Sequence, residues 1–219
     1  MKGMPVQPKA EAHARVPGPG GHNVRKARPE EIFELSRAMA RAFYEDPLSL
    51  YVLPKTSSRL RISEAGVALF LRRAWLELDE TYVVGEPACG VCIWNPPGTS
   101  EISTGKQLSM LPALIRAYGR TLPRLFLALN SAESDHPKEP HYYLSMLGVE
   151  PAGQGRGMGS ALMYPVLSRC DAERVPAYLE SSTPRNRALY ERHGFEAIGE
   201  FKLGRSRFSF TRMWRSPRP

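Results

Sequence analysis

Between Leu147 and Ala161 the chain carries Gly153, Gly155, Gly157 and Gly159, four glycines in seven residues. An apolar run breaks at Glu150-Pro151, passes through these glycines and enters a helical pattern. A turn of this kind points several backbone N–H groups at one spot beside the positive end of a helix dipole. That is how a chain holds a pyrophosphate with few specialised side chains. Glycine lets the backbone approach the anion closely and take turns that other residues resist. The implied chemistry is a phosphate-bearing cofactor held by Gln154, Gly155, Arg156, Gly157, Met158, Gly159 and Ser160, mainly through amides.

Which phosphate is held depends on details of the loop. A P-loop needs a Lys and then Ser or Thr after its last glycine, and Ser160 follows Gly159 with no Lys. A dinucleotide fingerprint needs a third glycine where Ser160 stands, although Glu180 lies about 20 residues on, as a ribose binder would. A doubly wound domain begins with its fingerprint, whereas this loop lies close to the end of the chain. What remains is Gln-x-x-Gly-x-Gly, at Gln154, Gly157 and Gly159.

The elements around the loop are legible from period and punctuation. Residues 1–22 hold Pro5, Pro8, Pro17, Gly18, Pro19, Gly20 and Gly21 with few large apolar groups and read as a flexible tail. Residues 23–28 form a first strand. Pro29 opens a helix with Ile32, Leu35, Met39 and Phe43 on one face, and Asp46-Pro47 ends it. A second helical region spans 57–77. Residues 82–84 and 90–94 make an antiparallel pair, and 100–134 is a helical insert. Residues 141–149 form the strand feeding the glycine turn, and 157–174 the helix that receives the phosphate. Tyr178-Leu179-Glu180 is a short strand, and 186–193 a helix closed by Gly194 and Phe195. Residues 201–203 and 208–214 complete the sheet.

This order resembles the GNAT superfamily of acetyl-CoA-dependent N-acetyltransferases over residues 141–215. Asp46-Pro47, Trp94 with Pro96, Pro97 and Gly98, Tyr178-Leu179-Glu180, and Tyr190 to Phe195 are similar to its puromycin-acetyltransferase-like branch. The resemblance implies an α/β single domain, a mixed twisted sheet of about seven strands with helices on both faces and splayed central strands. It implies acetyl-CoA as co-substrate, no metal, and a primary amine as acceptor. Backbone groups at Leu147, Gly148 and Val149 would pair with the thioester and pantetheine arm, and Tyr190 would be the general acid at the coenzyme sulfur. Asn186, a further coenzyme contact by resemblance, lies four residues before Tyr190, a closer spacing than the family pattern. Glu180 or Glu150 would be the general base, directly or through water, with His141, His193 and Asp46 as other groups to test.

Composition agrees with this assignment. A chain of 219 residues, 42% hydrophobic and 24% charged, suits one globular domain. The net charge of +8 is spread without runs of like charge, which favours an anionic ligand over a nucleic-acid arm. Cys89, Cys92 and Cys170 form no disulfide framework, and Cys89 and Cys92 sit in a strand, facing opposite sides. No apolar stretch reaches a membrane span's length and no signal-peptide core is present, so the expectation is a cytoplasmic monomer or homodimer without nucleic-acid or membrane partners. The acceptor stays open between a small molecule and a protein lysine or N-terminus. The rivals from other classes are a nicotinamide-dinucleotide oxidoreductase and a non-catalytic coenzyme-binding module.

Overall fold

The structure, a computed structural model, describes residues 16–54, 57–99, 104–133 and 135–219. One sheet runs through it. Its strands are β1 (Val16–Pro17), β2 (Asn23–Lys26), β3 (Thr81–Val84), β4 (Gly90–Asn95), β5 (Tyr142–Val149), β6 (Ala177–Ser181), β7 (Glu196–Lys202) and β8 (Ser209–Arg215), in the order β1-β2-β3-β4-β5-β6-β8-β7. The expected seven strands are joined by the two-residue β1 at the edge. Only the β5–β6 pairing is parallel among the described strands. A doubly wound dinucleotide fold would need mostly parallel pairs, so this topology removes that rival.

Helices lie on both faces. β3 and β4 are buried along their whole length, as strands covered on both sides must be. On one face α6 (Met158–Glu173) and α7 (Pro184–Arg192) pack over Cys92, Trp94, Leu144 and Leu179. On the other, α1 (Ile32–Ala42) and α3 (Arg59–Phe70, extended by a wide turn to Trp75) cover Val83, Val91 and Ile93. The amphipathic stripe of α1 explains its side, since Leu35 and Met39 are fully buried while Phe33 stands 69% exposed. A separate core joins α2 (Pro47–Val52), α4 (Thr104–Tyr118) and α5 (Leu122–Glu133) to Leu203 and Phe210 at the far end of the sheet. The insert read at 100–134 is thus a helical pair that roofs one face of the C-terminal strands.

Two local departures matter for the site. Asp46-Pro47 ends α1, as the sequence indicates, but also starts α2. The Asp46 carboxylate accepts from the Leu48 N–H at 2.8 Å, and Pro47 occupies the first helical position, where its missing N–H costs nothing. Residues 16–22, read as part of the tail, lie against the domain. Val16 and Pro17 pair with Val24 and Asn23, and Gly18 sits on Ala161 so closely that a Cβ there would come within 2.9 Å. Residues 1–15 fall outside the described residues.

Candidate active site

The β5–β6 ladder is short. Tyr142, Tyr143 and Leu144 pair with Ala177, Tyr178 and Leu179, and there it stops. Beyond that point Met146–Val149 pair only with β4, and Glu180 and Ser181 only with β8. The strands therefore diverge, and the β5 edge holding Leu147, Gly148 and Val149 has no strand partner on the β6 side. A bulge at Ser145 helps to turn the strand, since Ile93 pairs with Met146 and Trp94 with Leu144. Ser145 donates from its hydroxyl to the Asn95 side-chain oxygen, which fixes the bulge. Gly148 has a packing role as well. A Cβ there would lie 2.9 to 3.0 Å from Met39, Phe43 and Ala42, so only glycine admits α1 so close to the slot.

At the mouth of the slot, residues 151–153 make one tight turn and the glycine loop comes next. Gly155 and Gly157 have φ of 80° and 82°, a left-handed backbone that favours glycine, and Gly157 is the N-cap of α6. The four leading N–H groups of a helix have no partner within it, and those of α6 follow directly on the glycine loop. The side chains take other work. Gln154 Nε2 donates to the Val149 carbonyl at 3.1 Å, and Ser160 Oγ lies 2.9 Å from His193 Nε2. A Cβ on Gly159 would crowd Leu189 of α7 at 3.3 Å. The Arg156 carbonyl accepts from His22 Nε2 at 2.6 Å, so the N-terminal segment braces the loop from outside. Glu150 is bridged to Arg41 of α1 and so is committed to holding the loop's entry.

The two faces of the slot carry different chemistry. On the α6 and α7 face, Tyr190 is 7% exposed and packs edge-on against Phe195. Its hydroxyl makes no hydrogen bond among the described residues, and burial, with Cys92 and Asp46 nearby, pushes its pKa up. At neutral pH it is a protonated donor without an acceptor. Next to it the Asp46 carboxylate accepts from Ser182 Oγ at 2.6 Å, and Asn186 Nδ2 donates to the same Ser182 oxygen at 3.3 Å. The Asn186 N–H is taken by the Thr183 hydroxyl at the start of α7. Asn186 and Asp46 thus tie α2 to the β6–α7 turn.

On the opposite face stands Glu180. Its side chain is 9% exposed, and burial pushes its pKa up from 4.5 to about 7 against the Tyr143 hydroxyl, which donates to Oε2 at 2.8 Å. Oε1 has no hydrogen-bond partner among the described residues, and His136 Nδ1 lies 3.9 Å from it. The rings of His136, His141, Tyr143 and Tyr178 pack together with centroids 4.9 to 5.8 Å apart, edge to face where His136 meets Tyr143 and Tyr178 and where His141 meets Tyr178. Of the residues singled out from the sequence, His141 joins Glu180 here, whereas Glu150 and His193 do not. His193 closes α7, where its carbonyl accepts from Arg215 Nε at 2.9 Å. His136, Tyr143 and Tyr178 were missed. Tyr178 and Glu180 share one face at alternate strand positions, a signal readable from the sequence once the strand is placed.

The arrangement can bind an elongated phosphorylated molecule edge-on to β5, with a proton acceptor on one side of the slot and a proton donor on the other. Comparison with known proteins gives a consistent result. Residues 132–215 match a family model described as an acetyltransferase (GNAT) domain. An uncharacterized N-acetyltransferase from Schizosaccharomyces pombe is 30% identical over 167 residues, covering 70% of this chain and 66% of that protein. A mycothiol acetyltransferase from Beutenbergia cavernae is 28% identical over 194 residues, covering 85% of this chain and 63% of that protein. The alignments therefore span just under two thirds of these curated relatives. The crystal structure of a histone acetyltransferase HPA2 and related acetyltransferase from Corynebacterium glutamicum shares the fold, with a TM-score of 0.70 at 23% identity over 90% of this chain and 97% of that one.

Proposed function

This chain carries a GNAT acetyltransferase domain, and on that premise we propose that it transfers an acetyl group from acetyl-CoA directly to the primary amine of a small molecule, both bound at once. The observation that carries the reading is the slot itself, with a glycine loop at its mouth, Glu180 on one face and Tyr190 on the other. The loop amides and the start of α6 hold the pyrophosphate. The unpaired β5 edge at Leu147–Val149 holds the pantetheine arm and offers an N–H to the oxygen that gains charge in the transition state, a term that is commonly among the largest in acyl transfer. Glu180 takes a proton from the acceptor nitrogen, the nitrogen bonds to the carbonyl carbon, and the carbon–sulfur bond breaks. Tyr190 gives its proton to the departing thiolate.

Enclosure supports a small acceptor. Glu180 is buried and ringed by Tyr143, Tyr178 and His136, which leaves little room for a folded protein surface. A monomer or homodimer in the cytoplasm fits this role, and no described helix is long and apolar enough to cross a membrane. The test is free-thiol release from acetyl-CoA with a panel of small amines, beside lysine peptides and protein N-termini. Turnover with small amines is expected. Release confined to peptides would overturn the acceptor class, and tight acetyl-CoA binding without any release would point to a binding module instead.

A further inference from the structure

A primary amine that attacks a carbonyl carbon carries two N–H hydrogens. One leaves toward the base, and the other stays on the nitrogen of the new amide. Once ligands displace water from the slot, the retained hydrogen needs an acceptor too. Ser145 is placed to be that acceptor. The last β5–β6 pair is Leu144 with Leu179, so Ser145 and Glu180 are the first residues past the point where the strands part. They share one face of the sheet. Asn95 pairs with Tyr143 and Tyr143 with Tyr178, and Glu180 follows two residues after Tyr178 on the same side. Ser145 joins them there, because its hydroxyl bonds to the Asn95 side chain. Paired strands stand about 4.8 Å apart, and past the parting the gap is wider, with room for a nitrogen between the two side chains.

Hydrogen bonds fix which way the Ser145 hydroxyl works. Asn95 Nδ2 donates to the Thr99 carbonyl at 3.0 Å, so the amide atom turned to Ser145 is Oδ1. An amide oxygen has no hydrogen to give. Ser145 therefore gives its own hydrogen to Asn95 and keeps its acceptor lone pairs for another donor. The arrangement is anchored, since Asn95 is 4% exposed and the Thr99 hydroxyl and N–H both donate to the Pro96 carbonyl, at 2.7 and 3.1 Å. Two other roles fall away. The hydroxyl has no hydrogen left for the oxygen that gains charge in the transition state. Its hydrogen also faces an amide, which is no base, so Ser145 is not an activated nucleophile.

We propose that Ser145 holds the N–H hydrogen that the amine keeps while Glu180 takes the one it loses, and that this restricts the acceptor to primary amines. This rests on the amine acetylation proposed above. In an N-methyl amine the single hydrogen must go to Glu180, so the methyl group faces the Ser145 oxygen and leaves it unpaired.

Thiol release from acetyl-CoA with matched pairs, a primary amine and its N-methyl derivative, tests this. Wild type should favour the primary amine at least about tenfold in kcat/KM. Ser145→Ala should lower kcat/KM for the primary amine at least about tenfold, change it less than about twofold for the N-methyl amine, and leave the acetyl-CoA KM within about twofold. Ser145→Cys keeps nearly the same shape with a weak acceptor and should give the same pattern, which covers a Ser145→Ala chain that does not fold. Where wild type takes no N-methyl amine at all, the primary-amine loss at an unchanged acetyl-CoA KM decides. The pantetheine arm lies on the same strand, so a serine that merely shapes β5, or serves the coenzyme, would raise the acetyl-CoA KM and lower both amines together. That pattern overturns the proposal, as does a wild type that takes both amines equally well or a folded variant with wild-type kcat/KM. Wild-type protein that releases no thiol with any amine overturns the acetylation itself.

Discussion

At the scale of the residue, Glu180, the base proposed above, carries a cost to stability. Its pKa stands at about 7 in the folded chain against 4.5 for the free group, so the fold favours its protonated form. The stability it contributes is complete below about pH 4.5 and falls away between about pH 4.5 and 7, because the unfolded chain gives up this proton over that range while the folded chain still holds it. Glu180→Gln should therefore melt close to wild type at pH 4.5 and several degrees above it at pH 8, a gain on the order of 3 kcal/mol. Its acetylation rate should fall at the same time. Equal melting temperatures at pH 8 would mean that the carboxylate is better solvated than its surroundings indicate. In wild type, kcat/KM should rise with pH through about 7 as Glu180 ionises. Tyr190 answers to a different measurement. Tyr190→Phe keeps the contact with Phe195 and removes only the hydroxyl, so turnover should drop at least about tenfold while acetyl-CoA binding, titrated separately, changes little. Rates within about twofold of wild type would remove the acid role.

Among the elements, the glycine loop and its helix were legible because their chemistry is local. Gly155 and Gly157 occupy left-handed backbone and Pro151 opens the turn, features a sequence states outright. Asp46-Pro47 was half legible. An Asp before a Pro stops one helix and caps another equally well, and here the apolar residues from Leu48 to Val52 give the second helix something to bury. The cluster around Glu180 was not legible, since it needs Tyr143 brought beside Tyr178 by parallel pairing and His136, just after α5, laid against both rings. No spacing along the chain encodes either meeting. Two glycines give the element-scale predictions. Gly148→Ala pushes a methyl into Met39, Phe43 and Ala42 and should cost about 1–3 kcal/mol, read as a lower melting temperature. Gly157→Glu places a negative charge at the N-cap of α6 and should abolish acetyl-CoA binding in a chain that still folds, while unchanged affinity would mean that the phosphates lie elsewhere.

For the whole molecule, the N-terminal segment contradicts its composition. Proline and glycine give residues 16–22 little apolar surface, yet backbone pairing with β2, the Gly18 contact and the His22 bond to the loop hold them in place. A chain beginning at Asn23 should melt a few degrees lower, at about 2–4 °C for each kcal/mol lost in a domain of this size, and bind acetyl-CoA more weakly. Unchanged melting and affinity would show that the segment rests on the domain without supporting it. The short β5–β6 ladder has a mechanical meaning as well. Only three residue pairs stitch the C-terminal hairpin and β6 to the rest of the sheet, backed by the Asp46–Ser182 link and the Arg215–Asp171 pair at 2.7 to 2.8 Å. That line is a seam between two parts of the sheet. A ligand lying in the slot would sew it shut, so amide exchange in β6, β7 and β8 should slow sharply on coenzyme binding while exchange in β3 and β4 hardly changes.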